Sequence, residues 1–319
     1  MEKYLRIWLI RAGQFALTVG ITWLIVDAVG FELAELQSLN SEIRELDLFG
    51  LLAASIGLLG AYFASAAIWG LIVHDLGGPN IPARKAVSIF MIANLGRYVP
   101  GKLWQIGGLA ALAKGRGVAV STATGAAVIG QGLALLAAAT WGLGAFLTGP
   151  ESYQFWGRTG LVFVSGGILL ISLPGVFPFL AQYWFRATDT QPHEELGALY
   201  GARWLVLYIL NWGMYGLSFW ILAQSFGLTG GLLPMVSAFG ASYVLGYAMV
   251  FAPAGIGPRE AFLVLFLAPH IGAPASAMLA VITRLWTTIV EVIPAGLFWF
   301  IYVSKANTSE PPSLEINHE

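Results

Sequence analysis

Arg97 and Lys102 flank a Pro100-Gly101 break in the stretch "NLGRYVPGKLWQIGG", residues 94–108, and long charge-free apolar runs lie on both sides of it. A helix that begins at Gly101 presents free N–H groups and the positive end of its dipole toward that break. Two cations beside such an end suit a phosphate or another anion. A second break, "FAPAGIGPRE", carries Pro253, Gly255 and Gly257, followed by Arg259 and Glu260. Arg259 would sit at the start of the matching half-helix, with Glu260 free to hold a cation in place or take a proton. The opposing reading has these charges snorkelling at an interface and holding the segments to headgroups. Ionisable residues inside a membrane are costly and mark functional sites by default, which favours the first reading.

Two further candidates lie in apolar segments. Arg284 and Glu291 stand seven residues apart, about two helical turns, and so nearly share one face. That face is expected to look into the bundle, as a substrate contact or as a structural ion pair. Gln131 interrupts an otherwise charge-free segment at roughly the place Arg284 holds in the second half. It would give a headgroup an uncharged hydrogen bond or be a satisfied structural amide. Tyr98, Trp104 and Trp286 fit packing and interface anchoring better than a lipid path.

The elements that must position these residues are membrane helices. The chain has 319 residues, 57% hydrophobic and only 10% charged, where a soluble domain carries about 25% charged residues. A spanning helix needs roughly 20 apolar residues. Segments 5–26, 48–73, 118–147, 159–185, 204–225 and 275–303 qualify, giving six spans. Residues 86–114 and 233–268 do not, because Pro and Gly divide them into short apolar pieces. Non-helical backbone at membrane depth is tolerated only where protein buries it or where it lines a watery cavity. Both regions are therefore predicted to be re-entrant helical hairpins. The alternative for the second is a full span over 231–251 with Arg259 in a cytoplasmic loop.

Loop charges set the expected orientation. Lys3, Arg6 and Arg11 precede the acidic loop 27–47, and Arg84, Lys85, Lys114, Arg116, Arg186 and Lys305 recur at alternate ends. The positive-inside bias places both termini in the cytoplasm and the acidic loop outside. Span, span, hairpin, span then fills about 1–150 and again 151–304, with the second unit starting on the opposite face. The expected fold class is all-α: a polytopic transmembrane bundle, an inverted-topology repeat in one membrane domain, 1–304. Such repeats with paired broken helices mark many secondary transporters, whose site lies at the repeat interface. A polar cytoplasmic tail, 305–319, is expected to be disordered, and no cleavable signal peptide is expected.

Other chemistry is poorly supported. A net charge of −1 offers no basic face to nucleic acid. There is no cysteine, which removes thiol nucleophiles and thiolate metal sites. The 4 histidines show no metal spacing, and no catalytic triad or phosphate loop stands out. No enzymatic activity, catalytic residue, metal or cofactor is expected.

The elements "NLGRYVPGKLWQIGG", "FAPAGIGPREAFLVLFL" and "ITRLWTTIVEVIPAG" together resemble the flippase-like membrane domain of lysylphosphatidylglycerol synthases, over nearly the whole chain. The family's "GKYxPGKxW" element falls on Gly96, Arg97, Tyr98, Pro100, Gly101, Lys102 and Trp104. Its "PGGxGxREg" element falls on Pro253, Gly255, Gly257, Arg259 and Glu260, and its "SRxxxxxxE" pattern on Arg284 and Glu291. Arg97 replaces the usual Lys, which keeps the charge but changes its geometry. Thr283 replaces a common Ser, and Gln131 stands where many relatives carry an acid, which speaks against proton coupling there. The synthases' soluble aminoacyl-transfer domain is not expected here. The resemblance implies translocation of a lipid headgroup across the cytoplasmic (inner) membrane. The cargo would be an anionic or aminoacylated phospholipid or a polyprenyl-phosphate-linked sugar, bound by Arg97, Lys102, Arg259, Glu260, Arg284, Glu291 and Gln131. The alternatives are a secondary transporter of a small anion, a lipid-modifying enzyme, and a scaffold assisting a membrane glycosyltransferase. A homo-oligomer also stays open.

Overall fold

The computed structural model describes residues 46–98, 103–188, 197, 199–249 and 257–308. The expected first span, the acidic loop up to residue 45 and the tail from 309 onward lie outside the described residues. Ten α-helices and no strand occur among those described: α1 (Leu48–Asp75), α2 (Ala83–Asn94), α3 (Leu103–Lys114), α4 (Val120–Leu147), α5 (Glu151–Ser172), α6 (Val176–Ala187), α7 (Tyr200–Ser225), α8 (Leu232–Ala248), α9 (Pro258–Ile271) and α10 (Ala273–Thr308). Five of them, α1, α4, α5, α7 and the 273–301 part of α10, are long and apolar enough to cross a membrane. The chain is thus a multi-pass membrane protein, all-helical among the described residues. Its outer surface is apolar, with Phe49, Ile56, Phe163, Phe179, Leu210 and Phe300 all exposed. A lipid-facing surface has this composition, because lipid gives no hydrophobic driving force for burying such side chains.

Four of the short helices come in two pairs. A 3₁₀ turn, Leu95–Tyr98, follows α2, and α3 then runs back along α2. Gly96 abuts Trp104 and Gln105, while Gly108 abuts Ala93, so the two arms are antiparallel. The second pair, α8 and α9, is also antiparallel: Gly246 faces Arg259, and Gly230, just before α8, faces Ile271. With 12 residues, α2 and α3 reach about 18 Å each at 1.5 Å per residue, too little to cross the roughly 30 Å hydrocarbon core. α8, with 17 residues, ends at Ala248 rather than spanning 231–251.

Packing contacts repeat between the two parts of the chain. α2 packs on α3, and α8 on α9; α3 packs on α4, and α9 on α10. Across the parts, α2 packs on α10 just as α8 packs on α4. The most extensive contact of all joins α1 to α7. These two run antiparallel, as Asn211 donating to Ser65 Oγ (2.7 Å) and the backbone bond from Asp47 N to Ser225 O (3.0 Å) show. At the other end, the Asp75 carboxylate accepts from Arg203 and from Trp204 Nε1, the latter at 2.8 Å.

Two expectations need correction. The span 159–185 is not one helix. α5 starts earlier, at Glu151, and stops at Ser172, so most of the expected 149–158 loop is helical. Pro174 and Gly175 interrupt the run, with Gly175 in the left-handed region at φ 86°. α6 then buries only Phe177, Ala181 and Phe185 along one side, which is the pattern of an amphipathic helix. At the other end of the chain, α10 continues to Thr308, past the expected boundary at 304.

Candidate functional site

Both paired-helix turns and the last span deliver their charges to one place. The 3₁₀ turn after α2 carries Arg97 and Tyr98. Arg97 forms an ion pair with Glu291 of α10 (Nη1 to Oε1, 3.2 Å), and the Tyr98 hydroxyl donates to Glu291 Oε2 at 2.8 Å. Glu291 is 2% exposed. A buried carboxylate keeps its charge only when paired and hydrogen-bonded; here Oε2 accepts the tyrosine hydroxyl, while Oε1 has the Arg97 charge beside it but no hydrogen bond. Gly96 makes this turn possible, since a Cβ there would lie 2.7 Å from the Gln105 and Trp104 backbone.

The second pair makes the matching contribution. Gly257 caps α9 at φ 93°, and its N–H donates to Glu260 Oε2 at 2.7 Å. The other oxygen of Glu260 stands 3.8 Å from Arg284 Nη1. Arg259, one residue earlier, lays its guanidinium over the rings of Phe239 (4.9 Å) and Tyr243 (5.6 Å). Among the described residues no carboxylate forms an ion pair with Arg259. Arg284 also lies 5.9 Å from the centre of the Tyr98 ring.

These groups surround two adjoining cavities of about 90 and 70 Å³. Arg97, Gln105, Ile106, Gln131, Tyr243 and Arg259 line both. Arg284 and Glu291 line the smaller one, and Glu260 sits beside it with Arg259 and Arg284. The structure therefore brings together Arg97, Gln131, Arg259, Glu260, Arg284 and Glu291. Gln131 and Arg284 occupy equivalent positions, the twelfth residue of α4 and of α10. Arg284 and Glu291 do share a face, yet they pair with different partners. Lys102, Pro100, Gly101, Pro253 and Gly255 fall outside the described residues. Gly257 lies at the predicted break.

Trp286 is buried and donates to Ser55 Oγ at 3.0 Å, a packing role. Trp104 is exposed on the outer surface. Tyr98, in contrast, belongs to the ion-pair network. Apart from Gln131, sequence reasoning missed the uncharged part of the site. Asn94 accepts from Gln105 Nε2 at 2.6 Å across the first pair, and both line the larger cavity. Its far wall is aromatic: Tyr62, Trp69, Tyr208, Trp212 and Tyr215. A polar amide inside an apolar helix was the available signal for Asn94 and Gln105.

Among the described residues, no group of three His, Cys, Asp or Glu is placed to hold a metal ion. The arrangement offers a partly open, largely apolar volume with three arginines against two glutamates around it. No curated protein and no solved structure matched the chain. A family model described as the lysylphosphatidylglycerol synthase TM region matches residues 11–295. With that match over most of its length, the chain belongs to the lysylphosphatidylglycerol synthase membrane-region family.

Proposed function

We propose that this membrane protein is a lipid flippase-like transporter that carries a phosphate-bearing headgroup through the cationic cavity while the hydrocarbon tails stay in the bilayer. The observation that carries this reading is the assembly of one site from both parts of the chain: Arg97 from the first helix pair, Arg259 and Glu260 from the second. The repeated packing pattern supports an inverted-topology repeat with two re-entrant hairpins, a design whose site lies at the repeat interface. Exposed Arg84, Lys85, Lys114, Arg116 and Arg186 support a cytoplasmic location for the loops at that end, and with it cytoplasmic termini. Translocation in the cytoplasmic membrane needs no covalent step, so no nucleophile or cofactor is assigned.

Reconstitution into liposomes with labelled lipids, scored by headgroup accessibility on each leaflet, tests the reading. Wild-type protein should equilibrate a labelled anionic phospholipid between leaflets. Arg97→Ala, Lys102→Ala and Arg259→Ala should each slow it by at least tenfold. Unchanged sidedness with correctly folded wild-type protein would overturn transport and favour a scaffold. Full activity in all three variants would overturn the site.

A further inference from the structure

We infer that the groove between α4 and α6 is a second lipid site, which holds one hydrocarbon tail of an anionic phospholipid. α4 has two lined faces. Ala126, Gly130, Gln131 and Ala134 line the larger cavity. Gly125, Val128, Ile129, Gly132, Leu133 and Leu136 line a separate groove of about 390 Å³. This groove shares no residue with the cavities around the arginines. Leu180 and Trp184 of α6 roof it, and Ile171 of α5 closes one side. The α4 positions recur every three or four residues, so they form one helical stripe. From Gly125 to Leu136 the stripe runs about 16 Å at 1.5 Å per residue. That is the depth of one leaflet, half of the roughly 30 Å hydrocarbon core.

α6 fixes where the groove begins. Its first turn sits on the start of α7, where Phe177 meets Gly201 and the Trp204 ring, the latter at 4.6 Å between centres. Its last turn sits on the start of α4, where Trp184 Nε1 donates to Ser121 O at 3.3 Å. A 12-residue helix laid across two helix starts lies along the membrane surface and not through it. A Cβ at Gly125 would lie 2.9 Å from Trp184 Nε1, so the roof closes tightly there. Two turns further in, a Cβ at Gly132 meets nothing within 4 Å. Val128, Gly132 and Leu180 are exposed, so the groove opens sideways to the bilayer. Apolar walls with no atoms beside them forfeit dispersion contacts, and a hydrocarbon tail is the apolar filler that a bilayer supplies. The mouth is cationic. Arg186 stands in the last turn of α6 and Arg116 just before α4, and both are exposed. Among the described residues neither forms an ion pair. Cations at the headgroup level with an apolar slot behind them complement the phosphate and tail of an anionic phospholipid. The inference goes beyond transport, since such a site binds lipid whether or not the cavity moves any.

Photocrosslinking of the purified full chain in detergent micelles tests this. The probes are phosphatidylglycerol and phosphatidylcholine carrying the same diazirine-bearing tail, with crosslinked residues read by mass spectrometry. Crosslinks should fall on Val128, Ile129, Leu133, Leu136 and Leu180, at least threefold more with phosphatidylglycerol than with phosphatidylcholine. Excess unlabelled phosphatidylglycerol should remove them while leaving crosslinks to the exposed Ile289 and Leu297 of α10 in place. Gly132→Phe should fill the groove and cut its crosslinks at least fivefold. Gly166→Phe, at an equally open glycine on the exposed side of α5, should not. Arg116→Gln with Arg186→Gln should erase the headgroup preference. Groove crosslinks that excess lipid does not remove would mean bulk contact alone and overturn the inference. Equal crosslinking by the two headgroups overturns it, as do crosslinks confined to Ala126, Gly130, Gln131 and Ala134. The wild-type arms decide this even if a variant fails to fold. In the leaflet assay, no lipid crossing with the groove crosslinks intact sinks the flippase reading alone. Lipid crossing without saturable groove crosslinks sinks this inference alone.

Discussion

Arg97 sits 3.2 Å from Glu291, a contact that ties the turn after α2 to the middle of the last long helix. The pair is deep enough that its two halves are not equivalent to their sum. Removing one partner of a buried ion pair strands the other charge and costs about 3–5 kcal/mol, whereas replacing both with apolar residues of similar volume is often neutral. Glu291→Leu alone should therefore lower thermal stability in detergent more than Arg97→Met together with Glu291→Leu. A double variant whose loss equals the sum of the two singles would show that the pair is not coupled.

Glu260 has two separable duties. Its backbone-facing oxygen caps α9 at Gly257, and its charge faces Arg284. Glu260→Gln keeps an acceptor for the cap and removes the charge, so it should leave stability nearly intact while slowing lipid transfer. Glu260→Ala removes both, and should add a stability loss of about 1 kcal/mol, typical of a lost helix cap. Equal melting temperatures for the two variants would contradict the cap.

The close approach of each helix pair rests on a missing side chain. A Cβ at Gly246 would lie 2.7 Å from Arg259 Cβ, and one at Gly96 would lie 2.7 Å from Gln105 N. Gly246→Ala and Gly96→Ala should each push the arms apart and cost about 1–3 kcal/mol, as overpacking does, with transfer reduced. Gly107→Ala is the control, since a Cβ there meets nothing within 4 Å. It should be neutral or stabilising by about 0.5–1 kcal/mol, because alanine outranks glycine inside a helix. Similar losses at all three sites would show that spacing is not the cause.

At the far end of the α1–α7 contact, Asp75 satisfies both Arg203 and the buried Trp204 indole. Asp75→Ala leaves the Trp204 donor unpaired in a buried position, with an expected cost of about 1–3 kcal/mol. Arg203 is half-exposed and contributes little to that sum. Arg203→Ala should accordingly be much milder than Asp75→Ala in a thermal melt. The reverse order would make the surface pair, rather than the indole bond, the source of stability.

Charge was the legible part of this site. In a chain with so few charged residues, each one placed among apolar residues stood out, and Arg97, Arg259, Glu260, Arg284 and Glu291 all reach the same cavity. Their partners were not legible. Spacing put Arg284 and Glu291 on one face, but only the fold sends one to Glu260 and the other to Arg97. Asn94, Gln105 and the tyrosine wall escaped because amides and aromatic residues occur throughout membrane helices without a functional role, so type alone carries little signal. The break at Pro174-Gly175 was hidden inside an apolar run of spanning length, where hydropathy registers the sum and not the hinge.

The long contact between α1 and α7 has a mechanical consequence. It is fastened near both ends, by Asp47 to Ser225 and by Asp75 to Trp204, with the Ser65–Asn211 bond between them. A spine fastened in this way resists shear, so the two parts of the chain are not free to rock against each other along it. The prediction is that opening of the cavity falls to the short helix pairs, swinging on glycine-lined contacts around a stationary post. The chain's lack of cysteine makes this directly measurable. An ideal Cβ at Gly57 lies 3.5 Å from Ser218 Cβ, within disulfide range. Gly57→Cys with Ser218→Cys should lock α1 to α7 and leave lipid transfer at its uncrosslinked rate. Transfer that stops on oxidation and returns on reduction would mean that the post itself moves.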